Sequence, residues 1–192
     1  MTEIVVLTEQ SRIKLHQELH KEFKPDLKRW NAEILKDNTV RFKAPNVLFI
    51  NGKSQLRPKF KNILTKFFPR YIKILQPYRA DIEAIRIEGH TSSNWLDAKD
   101  VKTRYLKNVQ LSQQRALSTL KYCYSLPTVK AQRNWLQQTL RANGLSFAKL
   151  ILTPKGKEDV EKSRRVEFKV VTKAEEKLLQ ILERSQIVSI KP

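Results

Sequence analysis

The chain has 192 residues, and 38 Lys plus Arg against 19 Asp plus Glu give it a formal charge of +19. Forty per cent hydrophobic residues with only four Gly and eight Pro exclude a disordered or collagen-like chain and leave room for one buried core. Cys123 is the single cysteine, which excludes an internal disulfide and a cysteine-based metal cluster. No run approaches the roughly 18 apolar residues of a membrane helix, so no signal or transmembrane segment is expected in the chain as it stands. Any membrane attachment is expected from a further segment or a partner. The charge is unevenly placed: residues 51–80 and 101–157 contain no acid, and the second stretch carries eleven Lys or Arg. Such a field attracts a polyanion (nucleic acid, an anionic surface or a carboxylate-rich polymer), or it is simply a solvated basic surface.

Residues 8–36 read as a helix carrying Leu15, Leu19, Phe23 and Leu27, interrupted at Pro25, and leading into the domain. Val40 and Phe42 alternate with Arg41 and Lys43 as a strand that Pro45 should interrupt or hold at an edge. After an Asn51-Gly52 turn, Pro58 suits the first turn of a helix bearing Phe60, Ile63, Leu64, Phe67, Phe68, Tyr71, Ile72 and Leu75. Pro69 predicts a kink or break near Phe68. Residues 82–88 alternate as a second strand ending at Gly89-His90. Helices follow over about Tyr105–Tyr124 and Ala131–Arg141, the latter stopped by Asn143-Gly144. Leu150–Leu152 is a short strand candidate. Val166, Phe168 and Val170 alternate with Arg165, Glu167 and Lys169 as a half-buried strand, and residues 173–184 read as a last helix. Together these predict an α+β or α/β fold with one sheet.

Several suggestive residues carry little chemistry. His16 and His20 are spaced i, i+4, but Gln17 stands where a zinc-protease motif needs Glu, and no third ligand is in view. Pro154-Lys155-Gly156-Lys157 lacks the glycine spacing and the hydroxyl of a phosphate loop. Ser92, Ser93 and Ser112 have only His90 as a nearby base, without a nucleophile turn. Scattered Trp and Tyr make no stacking ladder for single-stranded nucleic acid. No enzyme, metal or cofactor is expected.

Three ordered pieces carry more. Ile85-Arg86-Ile87-Glu88-Gly89-His90-Thr91-Ser92 ends a strand in a Gly-His-Thr corner. Asn108-Val109-Gln110-Leu111-Ser112-Gln113-Gln114-Arg115-Ala116 follows on a helix, then Ser163-Arg164-Arg165-Val166-Glu167-Phe168 on a strand. In this order they resemble the OmpA/MotB C-terminal peptidoglycan-binding family over roughly residues 38–172. The family's pattern is Gly-His-Thr-Asp, Asn-x-x-Leu-Ser-x-x-Arg-Ala and Asn-Arg-Arg-Val-Glu. The resemblance implies a mixed sheet of about four strands packed by helices in β-α-β-α-β-β order. It divides the chain into a helical lead-in (1–37), the domain (38–172) and a C-terminal helix and tail (173–192).

Helix geometry bears on the middle motif independently. At about 100° per residue, Asn108, Leu111, Ser112 and Arg115 share one face, and Val109, Ala116, Leu120 and Cys123 an adjoining one expected to pack on the sheet. Arg115 suits a carboxylate, because its planar fork makes two parallel charge-assisted hydrogen bonds. The resemblance implies that Arg115 holds the free carboxylate of diaminopimelate in the peptidoglycan stem, with Asn108, Leu111, Thr91, Ser92 and Arg164 shaping the pocket. Alternatively, Arg164-Arg165 blunts pairing at a strand edge. Ser92 replaces the family's Asp, the acid that meets the ligand's ammonium, and Asp97 or Asp100 is the expected substitute. Within the family the chain looks most like stator-type B subunits, including those of the Zorya anti-phage system. That implies a homodimer, a MotA-like channel partner and a periplasmic location, with peptidoglycan rather than nucleic acid as the polymer bound. A basic nucleic-acid-binding protein and a scaffold that has lost its ligand are the alternatives.

Overall fold

The computed structural model describes residues 2–43, 45–50, 52–95 and 98–173. Five strands form one mixed sheet: β1 (Ala32–Ile34), β2 (Val40–Phe42), β3 (Ile82–His90), β4 (Leu140–Gly144) and β5 (Arg165–Thr172), in spatial order β1-β2-β5-β3-β4. All neighbours are antiparallel except β3 and β4, which run parallel. The helices are α1 (Thr2–Trp30), α2 (Pro45–Leu48), α3 (Pro58–Leu75), α4 (Val101–Ser125), α5 (Arg133–Thr139) and α6 (Val160–Ser163). Five strands thus stand where about four were expected, and the C-terminal helix expected over 173–184 lies outside the described residues apart from Lys173.

The sheet is apolar on one face only. Val40, Phe42, Ile85, Ile87, Val166 and Phe168 are buried against α1 and α3, and Phe168 sits among Phe67 (centroids 5.0 Å apart), Tyr71 and Phe42 (5.9 Å each). Such tilted and edge-on ring pairs contribute beyond the area they bury. The strand expected to be half-buried is covered on both faces: Arg165 and Glu167 are as buried as Val166 and Phe168. It is also central, flanked by β2 and β3, so strand-edge blunting does not account for Arg164-Arg165.

The interruption expected at Pro25 and the break allowed for at Pro69 are corrected. Helix α1 continues through Pro25 and α3 through Pro69. A helical proline forfeits one backbone bond and crowds the preceding turn. Burial of Leu19, Phe23 and Trp30 around one, and of Phe67, Phe68, Tyr71 and Ile72 around the other, outweighs that cost. Arg70 on α3 further clasps α1: it donates to the carboxylates of Glu22 (2.6 Å) and Asp26 (2.8 Å) and lies 4.8 Å over the Phe23 ring. Helix α1 ends at Trp30 rather than near residue 36, because Asn31 turns with φ 50° into β1. The helix expected over 131–141 stops at Thr139, and β4 takes Leu140–Gly144. Leu152 makes only an isolated bridge to Glu158.

Helix α4 lies on β3 and β4 through two glycines. A Cβ on Gly89 would stand 2.2 Å from the Ser112 carbonyl oxygen, and one on Gly144 2.4 Å from the Gln113 nitrogen. Both obstacles are backbone, so a side chain at either position must push the helix off the sheet. Gln113 then bonds β4 through its side-chain amide, accepting from Gly144 N (2.7 Å) and donating to Ala142 O (3.2 Å). Gly89→Ala is therefore expected to lower stability by about 3 kcal/mol, the upper range for overpacking. Urea unfolding should show a lower midpoint with an unchanged slope.

Candidate functional site

The end of β3 and the start of β5 meet because their antiparallel register closes at His90↔Arg165. One residue further on each side lie Thr91 and Arg164, and Arg164 Nε donates to Ser92 Oγ at 3.1 Å. Thr91 is buried; its backbone N–H donates to Ser146 O (2.9 Å), while its Oγ1 has no hydrogen-bond partner. Ser146 N–H in turn donates to Ser112 Oγ on α4 (3.0 Å). Ser146 adopts φ 51°, a left-handed conformation that non-glycine residues rarely take, and there it links the β3 corner to α4. The sequence offered no signal for its role.

On α4 the face bearing the motif is turned inward. Asn108, Ser112, Arg115 and Thr119 are buried along with Ala116 and Cys123, whereas Val109 and Leu120 are only partly covered. The expected division between a presented polar face and a packed apolar face is corrected accordingly. Polar side chains tolerate that burial because each bonds locally: Asn108 Nδ2 to Arg104 O (3.1 Å), Ser112 Oγ to Val109 O (2.9 Å) and Thr119 Oγ1 to Arg115 O (2.9 Å). Leu111 is half-buried one turn from Arg115.

Arg115 is 7% exposed. Its Nε donates to the Lys53 carbonyl at 3.1 Å, and its guanidinium carbon lies 4.9 Å over the Phe49 ring. The wall it leans on is the loop closed by the Phe49–Leu56 bridge and tied by Arg57 Nε to Phe49 O (2.9 Å). Burial, and then the positive charge of Arg164, pull its pKa down to about 10. Among the described residues no carboxylate pairs with Arg115 or Arg164, whereas Arg41 and Arg165 of the sheet each have one. Arg115, Arg164 and Ser92 therefore form a cationic corner roofed by an aromatic ring. Asn108 and Leu111 stand on the same helix, toward its N-terminus.

The expected substitutes for the missing acid fare differently. Asp100 caps α4, accepting from Thr103 N (2.8 Å) and Thr103 Oγ1 (2.9 Å), and so is committed to the helix start. Asp97 lies outside the described residues. A carboxylate beside the corner in the hydrogen-bond pattern is Glu158, which accepts from Ser93 N (2.9 Å) and from Ser93 Oγ. Its place was not foreseen, because the bridge that brings it back (Leu152 to Glu158) closes a loop with no sequence periodicity.

A model of the OmpA family matches residues 48–167. The Zorya protein ZorB of Escherichia coli is 43% identical over 182 residues, which span 94% of this chain and 77% of that protein. Among solved structures, a MotB-like protein from Desulfovibrio vulgaris superposes with a TM-score of 0.57 at 20% identity, over 84% of this chain and 91% of the other. The cell wall anchor of the type VI secretion system of Pseudomonas aeruginosa gives 0.54 at 21%, over 80% and 96%. The periplasmic domain of Helicobacter pylori MotB gives 0.51 at 21%, over 80% and 97%. With its β3 corner, its α4 arginine and its β5 arginine pair all inside the matched span, the chain belongs to the OmpA family and is a homologue of ZorB.

Proposed function

We propose that this domain binds the peptidoglycan stem peptide and thereby fastens a membrane stator complex to the cell wall, on the periplasmic side of the inner membrane. The observation that carries the reading is the guanidinium pair of Arg115 and Arg164, which has no carboxylate partner among the described residues. A free carboxylate of the stem would supply the missing charge. Arg115 takes it with two parallel hydrogen bonds, Arg164 faces it from Ser92, and Asn108 and Leu111 border the ligand along α4. The sequence identity to ZorB supports the stator role; a homodimeric assembly and a MotA-like channel partner are part of the same proposal. The chain works by binding and performs no catalysis. Among the described residues no helix is long and apolar enough to cross a membrane.

Ser92 cannot supply the negative charge that meets the ligand's ammonium. Glu158 takes that part. It is held against Ser93, next in the chain to Ser92, and makes no ion pair among the described residues.

Charge-assisted hydrogen bonds contribute about 1.5–3 kcal/mol, or roughly 10- to 150-fold in affinity. Arg115→Ala should lower co-sedimentation with purified sacculi by at least about tenfold at both low and physiological salt. Arg115→Lys should recover only part of it, because an ammonium lacks the planar fork. A loss with salt that is equal in parent and Arg115→Ala would instead point to diffuse phosphate-type binding over many basic residues. Glu158→Gln should weaken binding of a diaminopimelate-containing stem peptide by about tenfold. It should leave unchanged the weaker binding of the same peptide acetylated on its side-chain amine, as measured by calorimetry.

A further inference from the structure

On the face of the sheet opposite the aromatic core, three ionisable side chains converge from the two central strands. Glu88 and His90 alternate along β3, and Glu167 on β5 is the register partner of Glu88. His90 is 1% exposed, yet neither ring nitrogen has a hydrogen-bond partner, and Glu88 Oε2 has none either. The His90 Nε2 atom lies 3.7 Å from Glu88 Oε2 and 3.6 Å from Glu167 Oε2. Those distances are too long for hydrogen bonds. An orphaned imidazole between two buried carboxylates is costly unless something sits among them.

We infer that Glu88, His90 and Glu167 form a structural site for a divalent transition-metal ion of the zinc type. One donor atom from each residue lies within 4.8 Å of the others. A tetrahedral ion with bonds of about 2.0–2.2 Å to nitrogen and oxygen separates neighbouring donors by about 3.4 Å, close to the 3.6 and 3.7 Å found. One imidazole nitrogen with two carboxylate oxygens is a donor set that zinc accepts. The other groups around the site are arranged compatibly. Arg165 Nε (2.6 Å) and Arg41 Nε (2.7 Å) both donate to Glu167 Oε1, which fixes that carboxylate and leaves Oε2 for the ion. Carboxylates that ligate metals are commonly held in this way. Asn143, the register partner of Glu88 on β4, has a buried Oδ1 without a partner and stands beside the site as a further oxygen.

Such an ion would clamp β3 to β5 two residues from Ser92 and three from Arg164, and so fix the spacing of the corner above it. Its formation is independent of what that corner binds. The test uses the full chain, purified without a histidine tag and stripped with a chelator, titrated with Zn²⁺ alone and followed by calorimetry and thermal unfolding. One equivalent of zinc per chain and a melting temperature that rises with free zinc are expected, since an ion bound only by the folded state stabilises it by mass action. His90→Gln and Glu88→Gln should each abolish the one-to-one uptake. The double variant His16→Gln, His20→Gln, which removes the half-buried helical pair, should keep it. The inference is overturned if the unaltered protein takes up no stoichiometric zinc. It is equally overturned if His90→Gln and Glu88→Gln still bind, or if the double variant loses the uptake.

Discussion

The antiparallel pairing of β3 with β5 is the constraint on which the molecule depends. Its register, from Ile82↔Thr172 to His90↔Arg165, joins segments about 75 to 90 residues apart in the chain. Because side chains alternate across a strand, that one register settles three things together. It puts Ile85, Ile87 and Phe168 into the aromatic core and gathers Glu88, His90 and Glu167 on the opposite face. At the end where pairing stops, it sets Ser92 beside Arg164. A slip of one residue would send the charged set into the core and the apolar set to the other side. The cost of burying unpaired carboxylates among phenylalanines makes such a slip prohibitive.

The cationic corner inherits its position from that pairing and from Gly89, which lets α4 approach until the Ser112 carbonyl touches β3. Arg115 sits one turn further along the same helix, over Phe49 and against the Lys53 carbonyl. Bringing two guanidiniums together in a mostly buried place opposes folding, as the lowered pKa of Arg115 records. A structural role alone would favour a neighbouring Asp or Glu, the arrangement that Arg41, Arg70 and Arg165 all have. Retaining an uncompensated pair makes sense when the counter-charge arrives with the ligand. Binding then recovers the repulsion as well as forming the new hydrogen bonds.

The elements that position this corner were legible because their residues are locally self-consistent. The alternation over 82–88 and the Gly-His-Thr stop follow from periodicity and turn chemistry. What escaped was decided by tertiary contact. The strand β4 spans only Leu140–Gly144, begins directly from α5 and reads as a helix end because Asn and Gly close it. Its strand form depends on pairing with β3 and on the side-chain amide of Gln113. A local rule read an interruption at Pro25 and a kink or break at Pro69, and burial kept both helices continuous. Asp100 looked available as a ligand group until its place at the start of α4 made it a cap. Glu158 and Ser146 reach the corner through loops whose conformation no periodicity encodes.

The placement of charge completes the picture. Both acid-free stretches, 51–80 and 101–157, abut the corner directly: Lys53 of the first accepts the hydrogen bond from Arg115 of the second. One residue from each acid-free stretch thus meets at the corner proposed to hold an anionic group. A single stem carboxylate gripped by two or three hydrogen bonds gives modest affinity. A polymer that repeats such groups gains from the surrounding field through raised local concentration and repeated rebinding, with a salt dependence the individual contact lacks. Specificity and holding strength then reside in different parts of one surface. On the proposed reading, the corner would choose the chemical group and the surrounding basic residues would keep the polymer within reach.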